Sequence, residues 1–320
     1  MKKIRTALAA VSAAAALVAA TLVGAAPAAH ADAACNNYSS SSSTCVNSTL
    51  SIAGTSYSVD WYLPNGTASA LMVFQNGFSR NCAHLRGSSK AIAEKGVMVL
   101  CINADMTAGN PDLAAQVGDL LKARTFAPPA GRPLPARYIA GGHSAGGHFA
   151  SALGARLDAN GYPNFAGAIL FDPVAASGFT ANLEAISDGG ARPVLAVTAR
   201  PSVTNLFNNS AEALVGLDNP YVGIQLVWEK YVAGIPVGGS CHIDVEGENT
   251  DVIGVVGAGC SANATQTARL RDFGSTWARD LATGTRTGAY YCTDAAAVAT
   301  CGTKVKALVD RSLPLAAPIR

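Results

Sequence analysis

Six runs of seven or eight mostly apolar residues recur along this chain: ALMVFQN (70–76), VMVLCIN (97–103), ARYIAGG (136–142), AGAILFD (166–172), PVLAVTA (193–199) and YVGIQLVW (221–228). None keeps the strict apolar–polar alternation of a strand with one wet face, so they predict strands buried on both sides. Between them lie helical patterns at 82–96, closed by Gly96, at 111–124, opened by Pro111, at 145–159 and around 208–216, and another follows the last run at 264–282. Strands alternating with helices predict an α/β fold, with a mostly parallel central sheet covered by helices on both faces. Ahead of these, LSIAGTSYSVDWYLP (50–64) predicts two antiparallel strands joined near Gly54. The Ser-rich stretch 35–47 and the Pro-rich stretch 127–135 are expected to be loops.

The first 31 residues do not belong to this pattern. Lys2, Lys3 and Arg5 precede an apolar Ala/Leu/Val stretch, and Ala29-His30-Ala31 is a small-residue cleavage site. These features predict a secretory signal peptide over 1–31, a mature chain starting near Asp32 and an extracellular location. No later segment has 18 uninterrupted apolar residues, so no integral membrane segment is expected in the mature chain. Loss of the leader takes 23 basic residues to 20 against 21 acidic ones, and the formal charge passes from +2 to −1. That balance leaves nothing to attract nucleic acid. Residues 32–320 are enough for one α/β domain with a substantial core.

All eight cysteines follow the leader, and an even count in an exported chain argues for disulfides. Sequential pairing is expected, Cys35–Cys45, Cys82–Cys101, Cys241–Cys260 and Cys292–Cys301, because each pair closes a short local loop. The first and last pairs would staple N- and C-terminal extensions.

The run at 136–142 leads directly into Gly142-His143-Ser144-Ala145-Gly146, and a helical pattern follows at once. Strand, G-x-S-x-G turn and helix together predict a nucleophile elbow, which lifts the Ser144 hydroxyl above the carboxyl end of the sheet. A serine hydroxyl needs a base. Of the five histidines, His30 leaves with the leader, and His143, on the same sharp turn as Ser144, is expected to pack. His148 precedes the expected acid in chain order, and His84 opens an early helix as a rim residue. His242, in GGSCHIDVEGENTD after the last core strand, fits the order serine, acid, histidine. For the acid, the loop after 193–199 offers no carboxylate, whereas AILFDPV places Asp172 at a strand's carboxyl end. Asp244 and Asp251 are the alternatives; Asp244 is better placed to brace the histidine loop than to hold His242. An oxyanion hole would take the backbone N–H of Ala145 and, after the turn at Gly77, that of Phe78.

With these residues the chain resembles the α/β-hydrolase superfamily, and within it chlorophyllase-like and secreted lipid- or polyester-cleaving esterases. The likeness rests on NGF (76–78), GHSAGG (142–147), DPV (172–174) and CHID (241–244), and covers roughly residues 50–282. Asn76 stands where those enzymes carry histidine, and Cys241 where they carry glycine. The resemblance implies a secreted serine carboxylic-ester hydrolase of the lipase/esterase type, with Ser144, Asp172 and His242 as triad and Phe78 and Ala145 at the oxyanion hole. It implies no cofactor and no metal, ester substrates such as lipids, aryl esters or polyesters, and a monomer. Only about 20 residues separate Asp172 from the next strand, so no large lid is expected and the cleft should admit bulky esters. An acyltransferase using the same triad, or a non-catalytic binding protein on this fold, would share the motifs.

Overall fold

Eleven strands appear among residues 35–319, the part of the chain that the computed structural model describes; the expected leader lies outside it. They are β1 (Ser43–Ile52), β2 (Thr55–Pro64), β3 (Ala70–Gln75), β4 (Val97–Ile102), β5 (Tyr138–His143), β6 (Phe165–Phe171), β7 (Val194–Thr198), β8 (Gly223–Leu226), β9 (Trp228–Val232), β10 (Ile235–Gly239) and β11 (Ala316–Ile319). Nine share one sheet, in the order β1-β2-β4-β3-β5-β6-β7-β8-β11, while β9 and β10 form a separate hairpin. From β4 to β8 every pairing is parallel; β1, β2 and β11 run antiparallel to their neighbours at the two edges.

Eight helices accompany the strands: α1 (Arg86–Ala93), α2 (Pro111–Ala123), α3 (Ala145–Ala159), α4 (Phe179–Ser187), α5 (Ala211–Val215), α6 (Val252–Ala258), α7 (Ala264–Thr283) and α8 (Thr303–Val309). Local chemistry sets their ends. The Asn110 side chain accepts from Leu113 N at the start of α2, with Pro111 in the first turn, and Asn263 caps α7 by accepting from Thr265 N and Gln266 N. The sheet divides two apolar layers. Met72, Phe74, Val99, Ile139 and Phe171 point to one side, against α1 and α7; Leu71, Val73, Leu100, Ala140 and Leu170 point to the other, against α2, α3 and α4. A core on both faces is what the unbroken apolar runs require.

The chain leaves β3 for β4 on one side and returns to β5 on the other, so the strand order reverses between β3 and β5. Open α/β sheets hold ligands in the crevice at the carboxyl ends of such a switch point. The turns that follow β3 and β5 carry Gly77 and Ser144.

Several elements differ from expectation. The Ser-rich stretch is a short turn, Cys35–Tyr38, followed by a strand that begins at Ser43, because the Cys35–Cys45 bridge draws it onto the sheet opposite β2. The run 221–228 breaks after Leu226, where Val227 N and Trp228 N both turn to the Leu315 carbonyl and the β9–β10 hairpin departs. The segment between Asp172 and β7 contains α4, whose Ile186 packs on Gly154 of α3, so it lies along the layer below the sheet's edge. All four disulfides pair sequentially as expected. No helix among the described residues is long and apolar enough to cross a membrane.

Candidate active site

Ser144 sits between β5 and α3 with φ 57° and ψ −126°. A residue with a Cβ avoids this conformation, and the close approach of neighbouring backbone holds it there. Gly146 is essential to that approach, since a Cβ on it would lie 2.3 Å from the carbonyl oxygens of Gln75 and Asn76. Ser144 N donates to Phe171 O at 3.2 Å, and Ser144 O accepts from Val174 N at 3.0 Å, so the elbow is bonded to both sides of Asp172. A strained strand-to-helix serine turn at the carboxyl edge of a mostly parallel sheet defines the α/β-hydrolase fold expected from the sequence, and the structure has it.

Asp172 also has positive φ, 43°, a conformation Asp and Asn adopt more readily than most residues. It is buried, and its carboxylate takes three donors. Ala199 N reaches Oδ1 at 2.9 Å, Asn205 Nδ2 reaches Oδ2 at 3.1 Å, and His242 Nδ1 lies 2.6 Å from Oδ2. A carboxylate can only accept here, so Nδ1 carries the hydrogen and Nε2 is left as the basic nitrogen. Asn205 is fully buried and was not anticipated; it lies in a loop that stood out in the sequence only for lacking an acid.

The two alternative acids have other partners. Asp244 Oδ2 accepts from Cys241 N and Oδ1 from Asn263 N, each at 2.7 Å, which closes the histidine loop as expected of a brace. Burial pushes its carboxyl up to about 7, against those two donors, which favour the charged form. Asp251 caps α6 at Gly254 N and faces Arg80 and His84. The Cys241–Cys260 bridge spans the same segment that Asp244 clamps. Replacing both cysteines by alanine is expected to cost about 3 kcal/mol, from the entropy of a loop this size. A thermal melt should show Tm lower by roughly 5–10 °C; an unchanged Tm would mean that Asp244 alone holds the loop.

The turn after β3 is fixed from inside. Asn76, fully buried, donates through Nδ2 to Gly77 O at 3.1 Å and Arg80 O at 2.8 Å, so the amide in place of histidine ties the turn to itself. Gly77 lies directly against the nucleophile: a Cβ there would stand 2.8 Å from Ser144 Cβ and 3.3 Å from its Oγ. Phe78 follows, 47% exposed. Ala145 opens α3, in the first turn where backbone N–H groups have no partner within the helix. Arg80 then joins this loop to the histidine loop, donating from Nε and Nη2 to the two carboxylate oxygens of buried Glu246 at 2.8 and 2.6 Å. That paired clamp escaped the sequence reading, because 166 residues separate its members.

Of the other histidines, His84 is a part-buried rim residue whose Nδ1 accepts from Asn81 N, and His148 packs beneath the elbow on Phe179 and Gly109. His143 does more than pack, since its Nε2 meets the His242 carbonyl. Among the described residues one group of potential metal donors converges, Cys35, Cys45 and Asp60, and both sulfurs are spent in a disulfide.

No protein-family model matches this chain, and no curated protein matches it either. Solved structures do. A thermostable esterase from Pseudomonas putida is 13% identical, with 77% of this chain and 84% of that one covered and a TM-score of 0.49. One of two fungal esterases from Rhizomucor miehei shows 15% identity, coverage of 76% and 85%, and a TM-score of 0.48. A dienelactone hydrolase from Anabaena variabilis shows 14% identity, coverage of 74% and 97%, and a TM-score of 0.46. At these distances the likenesses carry nothing about chemistry across.

Proposed function

We propose that this protein is a secreted serine hydrolase of carboxylic esters, with Ser144 as nucleophile, His242 as base and Asp172 as the acid that orients it. The observation that carries the proposal is the 2.6 Å contact between His242 Nδ1 and Asp172 Oδ2, with the His242 ring against His143, the chain neighbour of a serine held in strained backbone at the sheet's switch point. Ser144 Oγ attacks the ester carbonyl while His242 Nε2 takes its proton, and the N–H groups of Phe78 and Ala145 stabilise the oxyanion. The imidazolium then protonates the departing alcohol, leaving an acyl group on Ser144. Water, losing a proton to His242, cleaves that acyl-enzyme and restores the serine.

The finer reading, a chlorophyllase-like or polyester-hydrolase-like enzyme for bulky esters, draws support from the apolar side chains set around these loops. Phe78 follows Gly77, and Leu206 and Phe207, the latter 68% exposed, follow Asn205. Four disulfides agree with an extracellular protein, and the domain plan that goes with this is a leader over 1–31 followed by one hydrolase domain.

A fluorophosphonate tests the proposal. Peptide mapping should find one label, on Ser144, and p-nitrophenyl esters should protect against it. Absence of label, or label on another residue, would overturn the assignment. An emulsified lipid and a polyester film, run beside short-chain esters, separate the finer reading from the coarser one.

A further inference from the structure

The residue directly before the nucleophile has no part in the steps above, yet it is a buried, titratable side chain at the centre of the site. His143 is 2% exposed, its Nε2 lies 2.9 Å from the His242 carbonyl oxygen, and its ring centroid lies 4.6 Å from that of His242. A carbonyl oxygen only accepts, so Nε2 carries the hydrogen and Nδ1 keeps a bare lone pair. That Nδ1 has no hydrogen-bond partner, and it faces Gly77: a Cβ on Gly77 would stand 3.4 Å from it. His143 is therefore wedged between the two loops that flank Ser144, with the Gly77 turn on one side and the backbone of His242 on the other.

Resting on the serine-hydrolase reading, we propose that His143 is a positioning residue, fixing the backbone and ring of His242 through its Nε2–H···O=C bond and ring contact. Asp172 holds Nδ1 of the His242 ring, and His143 holds the peptide from which that ring springs. Only two side-chain torsions lie between those fixed points, so together they set where Nε2 aims, to the sub-ångström tolerance that proton transfer from Ser144 to Nε2 needs. Burial, and next the neighbouring His242, hold His143 well below the usual histidine range, with Arg80 and His84 acting in the same direction. A neutral neighbour adds no repulsion to the imidazolium that forms on His242 when Ser144 attacks.

His143→Phe keeps a ring of similar size and removes the donor, whereas His143→Gln returns an N–H at comparable reach. Four quantities distinguish them: kcat and KM on a p-nitrophenyl ester, the rate of Ser144 phosphonylation, and the downfield proton resonance of the His242–Asp172 hydrogen bond. The phenylalanine variant should lose about 10- to 100-fold in kcat and in phosphonylation rate, the scale of a small misplacement of a reacting group. Its KM should hold within about twofold, and its downfield resonance should shift or broaden; glutamine should recover most of each loss. Should phenylalanine not fold, His143→Asn, too short to reach the carbonyl, takes its place with the same expectations. A phenylalanine variant with wild-type kcat and an unmoved resonance, or a glutamine variant as impaired as phenylalanine, would overturn the proposal. Failure of the wild type to label at Ser144 would instead overturn the hydrolase reading, and the resonance would still decide whether His143 positions His242.

Discussion

Ser144→Ala is expected to lower ester turnover by a factor on the order of 10⁶, as loss of a triad serine does elsewhere, and to leave the fold intact. The elbow's conformation is imposed from outside the serine side chain, by the bonds to Phe171 and Val174 and by the approach of Gly146 to the Gln75 and Asn76 carbonyls. Alanine carries the same Cβ into the same strained φ and ψ, so it neither relieves the strain nor adds to it. Turnover of a p-nitrophenyl ester and a thermal melt check the two halves separately. A variant that keeps even a hundredth of wild-type turnover, at an unchanged Tm, would mean that another residue attacks the ester.

Asp172→Asn is expected to reduce kcat by about 10⁴, the effect of the same exchange in a serine protease triad, with a much smaller effect on stability. Asparagine accepts positive φ as aspartate does, so the backbone at φ 43° is kept. Its carbonyl oxygen can still accept from Ala199 N, which turns the NH₂ group toward His242 Nδ1 and Asn205 Nδ2, two former donors to Oδ2. His242 must then accept at Nδ1 and hold its proton at Nε2, the nitrogen that should receive the serine's proton. Measurement above pH 7, where an ordinary histidine is mostly neutral, isolates this tautomer effect from simple protonation. Asp244→Asn gives the contrast. It sacrifices one of two backbone bonds in the histidine loop, so Tm should fall while kcat changes by less than about tenfold. If Asp244→Asn were the more damaging to kcat, Asp244 and not Asp172 would be the acid.

The sequence revealed the buried core strands. Each core strand is a continuous apolar run whose neighbours in the chain are helices, and α3 occupies the 145–159 expected of it, because the elbow glycines and Asn160 mark both ends. The proposed triad of Ser144, Asp172 and His242 could be named from the sequence for a similar reason: each lies just beyond a strand or hairpin, where polar residues have no packing role to explain them. Elements without that contrast escaped notice. The valines and isoleucine of α6 include Val252, Ile253 and Val256, which face outward, so no amphipathic stripe marks a helix there. β11 carries Pro318, which suits only an edge position, and the β9–β10 hairpin mixes charge with glycine. The positioning shell was illegible for a different reason. Asn205 to Asp172, Arg80 to Glu246 and His143 to His242 join residues 33, 166 and 99 apart, and nothing in single-chain periodicity relates positions so distant.

The placement of β11 bears on how the chain reaches its folded state. Ala316–Ile319 are the last described residues, and they pair antiparallel with β8 along the edge of the sheet, opposite the edge made by β1. Until they dock, β8 presents a row of unsatisfied backbone donors and acceptors next to apolar side chains, the kind of edge that recruits a foreign strand. β11 follows every other strand of this sheet in chain order, so a chain emerging from its amino terminus can assemble them before it. An open edge of that kind is where self-association competes with folding, and Ala316–Ile319 cover it by pairing with β8.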